Sequence, residues 1–272
     1  MLLFPNAKIN LGLNVVSKRP DGYHNLETIF YPIPISDALE IIEDPDGSSK
    51  GYQFTSSGII VNGAEEHNLC VKAYLLLKDE YDLPNVKIHL HKTIPMGGGL
   101  GGGSADATFI LLALNQMFSL NLSTQALKDY ALKLGADCPF FVENTPCLGQ
   151  GVGELLEPIN LSLKGCYFVL LNPNIHVSTA NAFSAIKPKQ PLVRVDEIIV
   201  GPKESWRDLL VNDFEESVFP QFPVIESFKK SLYNDGAFYA SMSGSGASVF
   251  GLFENVPDKI LNENYIVWKG FL

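Results

Sequence analysis

The chain has 272 residues, 46% hydrophobic and 18% charged, enough for one large domain or two modest ones. A formal charge of −10 without clustered Lys and Arg argues against a nucleic-acid binder, because affinity for a phosphate backbone comes from such clusters. No apolar run reaches the roughly 18 residues of a membrane span, and Pro5, Asn6, Lys8 and Asn10 interrupt the first apolar segment, so no membrane partner or signal peptide is expected and the protein reads as cytoplasmic.

Residues 8 to 16 alternate, with Ile9, Leu11, Leu13 and Val15 on one face and Lys8, Asn10, Gly12 and Asn14 on the other, which predicts a half-buried strand. Its polar face sets Lys8 beside Asn10, an arrangement that suits a site lining and solvent equally. Arg19-Pro20-Asp21-Gly22 has turn chemistry, and residues 26 to 35 read as the return strand of a hairpin. Strands are predicted over 37 to 43 and 52 to 61, and a helix over 68 to 81 with Asn68 as its cap. In the next strand Val86, Ile88 and Leu90 alternate with Lys87, His89 and His91; with no third ligand nearby, the two histidines read as an exposed polar face. Cys70, Cys138, Cys147 and Cys166 form no CxxC pair and are expected to be reduced thiols.

That strand leads into Met96-Gly97-Gly98-Gly99-Leu100-Gly101-Gly102-Gly103-Ser104-Ala105-Asp106, a loop with six glycines that runs into an apolar helical stretch, residues 107 to 118. Glycines let backbone N–H groups approach an anion, and the start of a helix adds unpaired donors and the positive end of its dipole. Ser104 is the expected N-cap, and its hydroxyl could also reach a metal or phosphate oxygen. A Walker A loop is excluded, since no Lys followed by Ser or Thr closes the run. Gly97, Gly99 and Gly102 satisfy G-x-G-x-x-G, but Pro95 interrupts the strand end and no acid lies between Asp106 and Asp129, which disfavours a dinucleotide oxidoreductase. The HRD and DFG triplets of protein kinases are absent.

Ser123 caps a second helix to Leu134, followed by Gly135-Ala136-Asp137-Cys138-Pro139-Phe140-Phe141, where Asp137 on pattern alone reads as a cap or turn residue. Residues 149 to 153 read as a glycine-rich turn at a domain boundary, 166 to 171 as a buried strand, and 178 to 186 as a short helix. Residues 188 to 203 read as an exposed connection, with helices over 204 to 211 and 222 to 234. The strands 237 to 242 and 249 to 253 flank a second small-residue loop, Ser243-Gly244-Ser245-Gly246-Ala247-Ser248. Two strands around so tight a loop predict backbone packing against something close by, and the first glycine loop is the candidate.

Pro95-Met96-Gly97-Gly98-Gly99-Leu100-Gly101-Gly102-Gly103-Ser104-Ala105 resembles the ATP-phosphate loop of the GHMP superfamily, which includes galactokinases, homoserine kinases, mevalonate kinases and phosphomevalonate kinases. Met242-Ser243-Gly244-Ser245-Gly246-Ala247 resembles its C-terminal glycine motif. Three separated segments, Lys8-Ile9-Asn10-Leu11-Gly12-Leu13, Arg19-Pro20-Asp21-Gly22-Tyr23-His24-Asn25-Leu26 and the run from Gly135 to Phe141, resemble one family within it, the 4-diphosphocytidyl-2-C-methyl-D-erythritol kinases of non-mevalonate isoprenoid biosynthesis.

The resemblance implies an α+β, two-domain GHMP kinase fold, with an S5-like N-terminal ATP-binding domain (1–155) and a ferredoxin-like C-terminal domain (156–272). It implies ATP-dependent phosphorylation of the substrate's 2-hydroxyl, with ATP on residues 95 to 105 and Mg2+ alongside, Ser104 being the expected metal contact. Asp137 matches the catalytic carboxylate and Lys8 the catalytic lysine. Tyr23, His24 and Phe183 match the cytidine-binding positions, with Asn10 and Phe30 bordering the substrate pocket. Ser184 stands where some relatives place a lysine, and Asn212-Asp213-Phe214-Glu215 approximates a segment of structural role. The rivals are another small-molecule kinase of the superfamily, acting on homoserine or a mevalonate derivative, and a non-catalytic nucleotide sensor. Pro20-Asp21-Gly22-Tyr23-His24 argues against the first, and the presence of both Lys8 and Asp137 against the second.

Overall fold

Apolar residues collect into two packing units in the computed structural model, which describes residues 1–47 and 51–272, and neither unit is a continuous stretch of chain. One comprises Met1–Ala7, Pro34–Pro95 and Gly101–Thr145; the other comprises Lys8–Ile33, Met96–Leu100 and Pro146–Leu272.

In the first unit, a sheet runs in the order Leu2–Leu3, Ala38–Glu43, Val86–Lys92, Tyr52–Gly58, antiparallel except for the last pair. Period-two alternation in Val86–Lys92 buries Val86, Ile88 and Leu90, as predicted, and those residues share a core with the helices Leu69–Tyr81, Gly102–Met117 and Thr124–Leu134. The expected caps form: Asn68 accepts from Cys70 N at 2.9 Å, and Ser123 accepts from Ala126 N at 3.2 Å. The helix Gly102–Met117 is buried on nearly every side, because its small Ala105, Ala107 and Ala113 admit close neighbours.

In the second unit, one sheet has the order Asn6–Lys18, His24–Ser36, Cys147–Gly151, Leu155–Pro158, and its first two strands form the expected hairpin. A second, antiparallel sheet has the order Tyr239–Met242, Val249–Phe253, Tyr167–Leu171, Ile266–Phe271. Helices Phe214–Gln221 and Pro223–Asn234 pack into its core through Phe214, Val218, Ile225 and Phe228. The mixture of sheets and helices is the expected α+β class. Among the described residues no helix is long and apolar enough to cross a membrane.

Several local expectations differ from the structure. The strand from Asn6 is buried on both faces from Ala7 to Val15 rather than half-buried, because its polar residues are hydrogen-bonded inside the protein. Gly12 (φ +65°) would put a Cβ 2.7 Å from Leu210 Cδ1, a closeness that a longer residue could not meet. Of the turn expected over 149 to 153, the turn itself falls at residues 152 to 154, closed by Gly153 N donating to Gln150 O at 3.0 Å, while Gly149 lies in the strand before it under the Phe30 ring, where a Cβ would fall 2.4 Å from Phe30 Cε2. Within the connection expected to be exposed, Val195–Ile199 is a helix with Val195, Ile198 and Ile199 buried, its first N–H donated to Glu27 Oε1 at 3.0 Å. The helix Phe214–Gln221 and the strand Ile266–Phe271 were not anticipated; Pro220 near the helix end and the short strand length hid their periodicity.

Candidate active site

The second unit gathers Lys8, Asn10 and Phe30 at the tip of the first glycine loop. Lys8 and Asn10 are 3% and 2% exposed, so their side-by-side placement is an interior arrangement and not a solvated face. Lys8 N donates to Leu100 O at 2.9 Å, which runs the strand along the loop. Its Nζ donates to Asn10 Oδ1 at 2.7 Å and to Gly99 O at 3.2 Å, and lies 5.2 Å from the centroid of the Phe30 ring. Asn10 in turn donates to Thr28 Oγ1 at 3.0 Å, and Thr28 Oγ1 donates to Gly12 O. This chain of partners fixes the direction of the ammonium, which a long flexible side chain could not do alone.

The second small-residue loop packs against the first, as its composition predicted. Ser243 Oγ accepts from Asn10 N at 3.3 Å and donates to Gly99 O at 2.9 Å, while Ser248 N donates to Gly98 O at 3.2 Å. Asn212 Nδ2 holds the second loop from behind through Met242 O and Gly244 O, each at 2.8 Å. Gly97 and Gly99 have φ of +64° and +74°, left-handed conformations that favour glycine. His176 was missed by the sequence reading; it is exposed, and a Cβ at Gly97 would lie 2.7 Å from its Nδ1. No motif signalled it, since a lone histidine after a strand carries no spacing information.

In the same unit His24 stacks on Phe183, with centroids 4.7 Å apart and planes 18° from parallel, and Phe183 meets Phe214 edge-on at 4.7 Å. Phe183 ends the short helix Thr179–Phe183, capped by Ser178 through Asn181 N at 3.1 Å, with Ser184 just beyond it. Tyr23 is 65% exposed on the turn between the hairpin strands, its N–H bonded to Asp21 Oδ1 at 3.1 Å, so it is not a core aromatic. Phe30 is buried against Lys8 and Gly149.

The first unit holds the rest of the glycine loop and Asp137. The helix starts at Gly102 after Gly101 (φ +69°), so Ser104 is a first-turn residue and not the cap that its type suggested. The reason is that Gly101 alone takes the left-handed conformation at the helix entry. The Ser104 hydroxyl meets the Cys138 thiol, and Thr108 Oγ1 lies 2.9 Å from both Ser104 O and Cys138 O, which ties the helix to the turn carrying Asp137. Asp137 is half-buried in that turn, ahead of the short helix Phe140–Glu143. Burial pushes the Cys138 thiol up to about 11, with the Ser104 bond opposing it.

Beneath the helix start, Lys92 Nζ donates to Asp37 Oδ2 and, at 2.7 Å, to Asp106 Oδ2. Burial works to lower Lys92, but the Asp106 and Asp37 carboxylates outweigh it and its pKa rises. Burial pushes Asp106 up to about 7 against the pull of Lys92, because one ammonium is shared between two carboxylates. His89 and His91 bond to Thr55 and Ser57 at 2.8 to 2.9 Å on the exposed sheet face, and no cluster of three or more His, Cys, Asp or Glu able to hold a metal occurs among the described residues.

The family model for the N-terminal domain of GHMP kinases matches residues 68–144, and that for the C-terminal domain matches residues 196–269. The chain is 57% identical to the 4-diphosphocytidyl-2-C-methyl-D-erythritol kinase of Bacteroides fragilis, over 93% of this chain and 92% of that protein. It is 52% identical to the enzyme of the same name from Bacteroides thetaiotaomicron over 100% of both chains. A crystal structure of a 4-(cytidine 5'-diphospho)-2C-methyl-D-erythritol kinase superposes with a TM-score of 0.79 at 33% identity, covering 93% of this chain and 90% of that one. The phosphomevalonate kinase of Streptococcus pneumoniae, at 13% identity and a TM-score of 0.71, shares the fold.

Proposed function

The chain belongs to the 4-diphosphocytidyl-2-C-methyl-D-erythritol kinase family of GHMP kinases, and on that footing we propose that it transfers the γ-phosphoryl group of ATP to the 2-hydroxyl of 4-diphosphocytidyl-2-C-methyl-D-erythritol. As a GHMP kinase it uses ATP. The observation that carries the reading is the buried Lys8 ammonium, aimed by Asn10 and seated 3.2 Å from the Gly99 carbonyl of a loop in which Gly97 and Gly99 hold left-handed conformations.

In this mechanism the acceptor's O–H proton passes to the Asp137 carboxylate as its oxygen bonds to the γ-phosphorus, and the bond from that phosphorus to the β,γ-bridging oxygen breaks to release ADP. Lys8 stabilises the negative charge that develops, and a pre-aimed buried cation does so without reorganisation. Residues 95 to 105 hold the phosphates. Ser104, a first-turn hydroxyl, would be the residue that holds Mg2+ beside the phosphates, since oxygen donors suit that hard cation. When bound, that ion would neutralise phosphate charge.

The cytidine handle binds through Tyr23, His24 and Phe183, whose stacked and exposed ring faces suit a pyrimidine, with Asn10 and Phe30 lining the pocket. Binding energy from this remote handle positions the reacting hydroxyl. The four cysteines, free and buried, support a cytoplasmic location, and the net charge of −10 supports a small-molecule partner over nucleic acid. The test is turnover of ATP with the cytidylylated acceptor, the position of the new phosphate being read by NMR. Phosphorylation of homoserine or mevalonate in preference to that acceptor would replace this reading.

A further inference from the structure

The Asp37–Lys92–Asp106 cluster is used by none of the steps above, yet it is a costly thing to bury. Lys92 is 3% exposed, Asp37 0% and Asp106 2%. Removing ions from water costs several kcal/mol each after relaxation, and apolar residues of similar volume often stabilise as well, so such a cluster is weak evidence for stability. What it supplies here is position. Asp37 Oδ1 accepts from Thr93 N at 2.6 Å and Ile94 N at 2.9 Å, which fixes the segment that enters the glycine loop. Asp106 stands on the first turns of the helix that leaves the loop. Lys92 bonds to both carboxylates, and a Cβ at Gly102 would lie 3.0 Å from its Nζ and 2.9 Å from Ile94 Cγ2. One ammonium thus joins the two ends of the loop, with the first helical residue pressed onto it. Asp106 Oδ1 is buried without a hydrogen-bond partner, so the Lys92 bond to Oδ2 offsets only part of the cost of burying this carboxylate.

We propose that Asp106 is a positioning residue for nucleotide binding: by accepting from Lys92 it sets the first turn of the helix Gly102–Met117 against the entering segment, and so holds the glycine loop in the shape that receives the phosphates. The proposal rests on the reading of residues 95 to 105 as the nucleotide's seat.

Asp106→Leu removes the acceptor while keeping bulk and leaves Lys92 and Asp37 as a neutral pair, so the fold is retained and Tm changes by a few degrees at most. Asp106→Asn keeps an acceptor for Lys92 and serves as the conservative rescue. Binding of ADP is measured by calorimetry without acceptor, alongside steady-state kinetics. Asp106→Leu is expected to weaken ADP binding and raise the ATP KM about tenfold, with the acceptor KM within twofold, and Asp106→Asn to stay within twofold of wild type in all three. Unchanged ADP affinity in Asp106→Leu, an equal rise in both KM values, or an equal defect in the two variants overturns the proposal. Should Asp106→Leu not fold, Lys92→Arg, which keeps the charge and moves the donors, decides on the same split between the two KM values. Wild-type protein that binds ADP but does not turn over the cytidylylated acceptor would count against the proposed function and leave this inference to the ADP titrations.

Discussion

A Cβ placed on Gly99 would lie 1.8 Å from the carbonyl oxygen of Ser243, closer than any non-bonded pair of heavy atoms can approach. The two glycine loops of the second unit therefore meet backbone to backbone, and Gly99 (φ +74°) has neither the space nor the conformation for a side chain. Gly99→Ala is expected to part the loops and displace the carbonyl that receives Lys8 Nζ, costing about 3 kcal/mol or more in stability. Urea unfolding measures it; a change under about 0.5 kcal/mol would show that the loops can separate freely.

Asp137→Ala is expected to abolish turnover while nucleotide binding persists. The proposed general-base role concerns a group that changes partner only in the reaction, so its loss appears in kcat rather than in ATP affinity. An unaltered kcat in a purified, folded variant would refute the role.

For the cytidine handle the discriminating variant is Tyr23→Ala. Because Tyr23 is 65% exposed, its removal leaves no core cavity, and wild-type stability is expected within about 0.5 kcal/mol. The acceptor KM is expected to rise on the order of tenfold and the ATP KM by less than twofold; equal effects on both would refute the assignment. His24 and Phe183, which stack on one another, should be coupled, so a double-mutant cycle on the acceptor KM is expected to be non-additive.

The Cys138 thiol is held above its ordinary value of 9.0, at about 11, by burial, so the folded state keeps a proton that the unfolded chain releases first. Below pH 9 both states are protonated and the group has no effect. Between pH 9 and about 11 the unfolded chain gains by ionising, so stability falls with rising pH, on the order of 2 kcal/mol from this group. Urea midpoints for wild type and Cys138→Ala across that range check the sign: the variant should lose less stability as pH rises. Alkylation of the native thiol at pH 8.5 should be far slower than in denaturant.

How much was legible in the sequence varied by residue. The caps Asn68 and Ser123 are local interactions between neighbours in the chain, and they form as read. The alternation of Val86, Ile88 and Leu90 is likewise local. Ser104 failed as a cap because Gly101 took the helix entry, a choice set by the loop's left-handed turn and not by which residue is the better acceptor. The turn expected from Gly149 starts later, at residue 152, because Gly149 sits in a strand under the ring of Phe30, which comes from a strand more than a hundred residues earlier that composition cannot see.

By itself, the sequence determined the chemistry on offer: a glycine-dense loop followed by a helix, a second small-residue loop, and Lys8, Asp137, Tyr23, His24 and Phe183 set in motifs specific enough to indicate a family. Those are properties of residue type and short spacing. Only the tertiary structure decided that Lys8 and Asn10 are buried partners instead of a solvated face, and that Ser243 is the residue Gly99 packs against. It also decided that Lys92, unremarkable in its strand, is bonded to Asp37 and Asp106. Each of these depends on contacts between residues distant in the chain, where burial and an opposing charge give a side chain its meaning.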